Sequence, residues 1–113
     1  MLRASSMTIL SDIDIAVQGL RLEPRRSAFI DRLSRIVTAL GRIPDSQPDA
    51  VTEPELVRLR ELADETVDAI ERRIDSGADV LVVQQELVGT IYELRKRMEA
   101  VEVWFRHFAS ARG

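Results

Sequence analysis

The sequence predicts an all-α domain built as an antiparallel three-helix, up-down-up bundle. Two observations support this fold class. Three long stretches repeat apolar residues at alternating steps of three and four, which is the spacing of one helix face. One short segment also alternates as a β-strand would, but no second stretch could pair with it. Because only 4% of the residues are aromatic, we expect an aliphatic core.

The first segment, residues 8–22, fits two conformations. From Ile9 to Leu20 its apolar residues fall on one helix face, whereas from Ile13 to Val17 they alternate as in a strand. We predict a helix because a strand here has no mate within the chain. The alternative is an extended arm that pairs across a dimer.

A second helix is predicted over residues 24–40. Its apolar residues follow at steps of 4, 3 and 4 from Phe29 to Leu40. Pro24 bends the chain where the two segments meet, so we expect them to form one kinked or split first helix of the bundle. A proline-rich loop, residues 41–52, then leads to a helical hairpin.

The first helix of that hairpin is predicted over residues 53–75. Thr52 and Glu55 form a Thr-x-x-Glu capping box, in which each side chain satisfies a free backbone N–H at the helix start. The stretch DSGAD, residues 75–79, provides a glycine that suits the left-handed conformation ending a helix. A tight turn into the last helix is therefore expected.

The longest helix is predicted over residues 79–109, with Asp79 as its cap. Its seam has a period of 3.5 residues and one polar member. The seam consists of Val80, Gln84, Leu87, Ile91, Leu94, Met98, Val101, Phe105 and Phe108. Gln84 either fixes the register between helices or meets water at the helix start, and the sequence leaves both interpretations open.

Other features of the sequence predict the domain organisation and the cellular compartment. Residues 8–113 are predicted as a single domain after a disordered leader, residues 1–7, and either Met1 or Met7 could be the working start. The longest apolar run, Val80 to Val83, is far shorter than the roughly 20 residues of a membrane span. The chain has no cysteine, which suits a reducing cytoplasm. Because Lys96 is the sole lysine among many arginines, a bacterial source is expected.

Enzymatic chemistry finds little support in the sequence. His107 is the single histidine, there is no cysteine, and the five glycines do not cluster as in a phosphate-binding loop. The carboxylates from Glu61 to Asp68 lack histidine companions, so we interpret them as a solvated acidic face rather than a metal site. No catalytic residue, metal or cofactor is predicted.

Helix lengths predict a partner. The last helix should run about 45 Å and its hairpin mate about 35 Å, so the chain beyond Val101 is expected to overhang. Either the end of the first helices, the loop around Val51 or the same tail of another subunit then covers the exposed apolar side chains. The predicted partner interface consists of Gln84, Met98, Val101, Trp104, Phe105 and Phe108.

The function predicted from these features is non-enzymatic protein association, as a small adaptor, chaperone-like protein or regulatory subunit. The C-terminal helix should mediate a homodimer that completes a larger bundle, with a heterologous helical partner as a further option. The alternative is a nucleic-acid-binding accessory protein that uses a basic stripe. The stripe comprises Arg21, Arg25, Arg32, Arg35 and Arg42. A net charge of −3 and an acidic helix 53–75, expected to pair with these arginines, argue against that alternative.

Overall fold

The computed structural model describes residues 6–45, 51–77 and 80–112, and it shows four α-helices packed against each other. The helices are α1 (Ser6–Leu22), α2 (Arg26–Arg42), α3 (Glu53–Asp75) and α4 (Leu81–Arg112), with a short 3₁₀ turn at Ile43–Asp45. Within these ranges there is no strand, which confirms the all-α prediction. Residues 1–5 of the predicted leader and the predicted cap Asp79 lie outside the described residues, whereas residues 6 and 7 are helical.

The first two helices form an antiparallel hairpin, which corrects the predicted bundle. Gly19 near the end of α1 lies against Arg32 in the first half of α2, whereas Asp12 shares a groove with Arg42 at the opposite end of α2. The bundle therefore has four helices, not the three predicted with a kinked or split first one. Segment 8–22 is a helix and not an extended arm.

The break between α1 and α2 is stabilised by local polar contacts. Pro24 has no N–H to donate and disfavours a helical conformation at Glu23. The Glu23 carboxylate accepts a hydrogen bond from the Arg25 backbone N–H at 3.1 Å, and the extended backbone of Arg25 precedes the first residue of α2. The chain thus stops one helix, turns within three residues and starts the next.

The second hairpin joins α3 and α4. The Glu55 backbone N–H donates to the Thr52 hydroxyl at 3.4 Å, and the Thr52 N–H donates to the Glu55 carboxylate at 3.2 Å. This is the capping box predicted at the start of α3. After α3, Gly77 takes a φ of 69°, a conformation that glycine adopts without strain. Across the hairpin Arg60 pairs with Glu102 at 2.7 Å.

The two hairpins pack side by side, with α1 against α3 and α2 against α4. Arg58 of α3 pairs with Asp14 of α1 at 3.2 Å, and Arg73 donates to the Glu23 carbonyl at 3.0 Å. The later residue of α3 thus contacts the later residue at the α1 side, so α1 and α3 run parallel. Since each hairpin is antiparallel, α2 and α4 also run parallel.

One aliphatic core fills the bundle along its 48 Å length. Its largest fully buried members come from all four helices, and Phe29 is its aromatic member. The buried polar side chain of Thr66 donates to the Leu62 carbonyl at 2.7 Å. No helix in the described part of the chain combines the length and apolar composition needed to cross a membrane.

Candidate partner-binding surface on the C-terminal helix

The α4 helix has an inner face that packs against the other helices. Leu87, Leu94, Met98 and Val101 are buried there, and they belong to the predicted 3.5-residue seam. Trp104 and Phe105 continue this face as partly buried side chains packed against the core. The seam is thus the side of α4 that builds the monomer.

Two residues of the predicted partner interface lie inside the monomer. Met98 and Val101 are 7% and 0% exposed, so they are covered by the chain itself and offer a partner almost no surface. Trp104, Phe105 and Phe108 are half-buried, and the Trp104 and Phe108 rings meet edge to face at 5.4 Å. Intramolecular cover, one of the alternatives that the sequence left open, accounts for most of this tail.

The tail does not overhang as predicted, because of the register between α3 and α4. The Arg60–Glu102 pair lies seven residues after the start of α3, so α3 extends about 10 Å further along the tail. By the same spacing Asp75, the end of α3, lies about level with Leu87. The overhang is thus at the beginning of α4, where Leu81 is exposed. The 3₁₀ turn also packs against α4 and adds cover.

The opposite face of α4 is apolar and exposed. Val88, Tyr92 and Val103 are 57%, 67% and 53% exposed. At 100° per residue they lie within about 60° of one another and point away from the inner face. Together with the charged and polar residues between and beyond them, they form a surface that we call the outer stripe. The outer stripe consists of Val88, Tyr92, Lys96, Glu99, Val103 and His107, which all line one open groove.

Sequence reasoning missed the outer stripe, although its signal was present. Once the seam had been assigned to α4, the apolar residues between its members were left without a role. The spacing of Val88, Tyr92 and Val103 would have shown a second apolar face on the same helix. Gln84, the polar member of the seam, is half-exposed in the first turn, which is one of the two positions the sequence left open.

The predicted basic stripe is divided between two places. Arg32, Arg35 and Arg42 line a groove of about 440 Å³ between α1 and α2, together with Asp12. Arg21 instead lines a depression beside α3. The groove therefore brings together three of the five arginines, and Arg25 lies beside one of them, since Arg25 and Arg32 both approach the Glu23 carboxylate.

The ion pairs of these arginines are local, contrary to the prediction. Arg25 and Arg32 approach the Glu23 carboxylate at 3.3 Å and 3.6 Å, and Arg35 pairs with Asp31 at 3.3 Å. The Arg25 backbone N–H, aided by the nearby guanidinium groups, lowers the pKa of Glu23. Among the described residues no ion pair joins the basic stripe to α3. Arg21, Arg25, Arg35 and Arg42 are exposed, whereas Arg32 is half-buried against Gly19.

Two features of the described residues bear on possible chemistry, the single histidine and the grouping of acidic side chains. His107 is exposed and its ring meets Phe108 at 5.2 Å. In the part of the chain that the structure describes, no three His, Cys, Asp or Glu side chains gather as metal ligands. No protein-family model, curated protein or solved structure matches this chain.

Proposed function

We propose that the protein is a non-enzymatic helical interaction module that self-associates through the outer stripe of α4. The observation that supports this most directly is the exposure of Val88, Tyr92 and Val103 on one face of a long helix. Full burial of such side chains is worth about 1.5 to 3 kcal/mol each. Clustered apolar surface of this kind is typical of protein interaction sites.

The outer stripe replaces the inner seam as the surface for the predicted homodimer. Helical faces bind one another through residues at intervals of three and four positions, and the outer stripe as a whole has that spacing, with its apolar residues at positions 88, 92 and 103. Its position on a helix already fixed by the core means that binding costs little backbone ordering. A small adaptor or regulatory subunit in a reducing, cytoplasmic compartment fits these properties.

The proposal is tested by native mass. Analytical ultracentrifugation of the wild-type chain, whose monomer mass is 12.8 kDa, should show a mass that rises with concentration. The double substitution Tyr92→Ser with Val103→Ser should return the mass to that of the monomer. Ile15→Ser is the matched control, because Ile15 is 66% exposed on α1 and lies away from the outer stripe. A wild-type chain that stays monomeric, or an Ile15→Ser variant that is equally impaired, contradicts the proposal.

A second candidate is nucleic-acid binding through the groove between α1 and α2. It is favoured by the convergence of Arg32, Arg35 and Arg42 in that groove. Two of the three are already paired with carboxylates, Arg32 with Glu23 and Arg35 with Asp31, and the net charge of −3 opposes phosphate binding.

Fluorescence anisotropy with labelled single-stranded and duplex oligonucleotides at low and raised salt separates the two candidates. Self-association as the main function predicts no binding at low salt. Binding that falls with salt and is lost in an Arg35→Gln, Arg42→Gln variant would favour the second candidate instead.

A further inference from the structure

The outer stripe has a symmetric spacing. Its six residues follow at steps of 4, 4, 3, 4 and 4, so the pattern is the same in both chain directions. In an isologous dimer residue i of one copy contacts residue j of the other and the reverse contact also forms, so two antiparallel copies of this pattern can align over its whole length. The centre of the pattern lies level with Arg97 and Met98.

Reversing the stripe sets opposite charges against each other at its centre. Two antiparallel copies place Lys96 level with Glu99, Tyr92 level with Val103 and Val88 level with His107, and each match occurs twice. Arg95, at the edge of the stripe, falls about 1.5 Å along the axis from the other copy's Glu99. A parallel pairing would instead set Lys96 against Lys96 and Glu99 against Glu99, and like charges repel.

The charged residues at the centre of the stripe are available for such contacts. Arg95, Lys96 and Glu99 are exposed. Among the described residues none of the three takes part in an ion pair of the monomer, in contrast to Glu93 and Glu102 on the same helix. Opposite charges in the interface would align the two copies rather than supply most of the affinity.

We infer that two copies of the chain pair antiparallel through the outer stripe, about a twofold axis level with Arg97 and Met98. This inference rests on the proposed self-association and adds its geometry. The stripe from Val88 to His107 is about 28 Å long. One helix face of that length gives an interface below the standard size of about 1,600 Å², so we expect a weak dimer whose population depends on concentration.

Disulfide trapping tests the geometry, because the wild-type chain has no cysteine. An equimolar mixture of the Tyr92→Cys chain and the Val103→Cys chain is oxidised at about 200 µM, a concentration that suits a weak dimer, and its cross-linked peptides are identified by mass spectrometry. In the mixed dimer one of the two Tyr92–Val103 contacts stays intact, unlike in the Tyr92→Ser, Val103→Ser variant. The expected product is a dimer in which position 92 of one chain is linked to position 103 of the other.

Other outcomes separate the inferred geometry, the choice of interface and self-association itself. Links of 92 to 92 and 103 to 103 overturn the antiparallel geometry while leaving self-association intact. Failure to cross-link where the wild-type chain is dimeric by ultracentrifugation overturns the outer stripe as the interface. A monomeric wild-type chain overturns the proposed function itself.

A charge substitution provides a second measurement that leaves the apolar contacts in place. Glu99→Lys brings the new lysine close to Lys96 and Arg95 of the other copy, so the dissociation constant should rise at least about tenfold. Glu86→Lys is the control, since Glu86 is exposed on α4 but is not part of the outer stripe. Equal dissociation constants for the Glu99→Lys variant and the wild-type chain would contradict the inferred geometry.

Discussion

The two faces of α4 carry apolar residues of similar type but differ in what covers them. Leu87, Leu94 and Val101 on the inner face are fully buried, whereas Tyr92 and Val103 on the outer stripe are more than half exposed. The inner face packs in the bundle with α2 and α3, and the outer stripe faces away from it. The inner face therefore supports the fold, and the outer stripe is the surface that we propose for self-association.

The strongest test of this division is a cavity in the inner face. Leu94→Ala should lower the free energy of unfolding by about 2 to 5 kcal/mol, since Leu94 is fully buried and truncation leaves a void. Urea denaturation followed by circular dichroism measures the loss. Val103→Ala, on the outer stripe, should change the same quantity by less than about 0.5 kcal/mol. Equal losses for the two variants would contradict the division.

A smaller effect is expected from the start of α3, which helps to cover the last turns of the inner face. Thr52→Ala removes the hydroxyl that accepts from the Glu55 N–H and should cost about 1 kcal/mol. Because Trp104 is partly buried against the core and is the single tryptophan, its emission should shift to longer wavelength if α3 frays. Thr38→Ala, at an exposed position on α2, is the control and should leave both the stability and the emission unchanged.

Acid should weaken the turn between α1 and α2. The pKa of Glu23 lies below its ordinary value of 4.5, chiefly because the Arg25 backbone N–H donates to the carboxylate. Its contribution to stability is therefore present above that ordinary value and is lost as the pH falls through the lower folded-state pKa. Glu23→Gln should be less stable than wild type at pH 7 and should approach it at pH 2 in urea titrations. A stability difference that persists unchanged at low pH would argue against this role of the carboxylate.

The smallest effect on folding is expected on the outer stripe itself. Val88→Ser replaces a side chain that is more than half exposed, so the free energy of unfolding of the monomer should change by less than about 0.5 kcal/mol. The dissociation constant of the dimer should nevertheless rise. Denaturation at low micromolar concentration and ultracentrifugation at high concentration separate the two effects. A large loss of monomer stability would show that Val88 contributes to the core.

The elements of this fold that local chemistry determines were predictable from the sequence. The capping box set the start of α3 because Thr52 and Glu55 bond to each other's backbone wherever a helix begins with them. The seam of α4 was visible because its period follows from helix geometry. These features depend on residues within a few turns of one another.

The features that depend on how the helices are arranged were not predictable in the same way. Pro24 shows where the chain leaves α1, but not that α2 folds back along it. The lengths of two helices do not reveal which residues lie level across a hairpin. The sequence therefore predicted an overhang at the tail, whereas the overhang lies at the start of α4. The ion-pair partners of the basic stripe also depend on which helices are neighbours. The sequence predicted pairing with acidic residues of α3, whereas Arg25 and Arg32 pair with Glu23 beside the turn.

We propose that the outer stripe mediates self-association while the inner face supports the fold. Sedimentation equilibrium of the wild-type chain between about 10 and 500 µM, a range suited to a weak dimer, decides between self-association and a monomer. The weight-average mass should rise from the monomer value of 12.8 kDa toward twice that value, and the Tyr92→Ser, Val103→Ser variant should remain at the monomer value over the same range. A wild-type mass that stays at the monomer value throughout, or a variant that dimerises as tightly as the wild type, would contradict it.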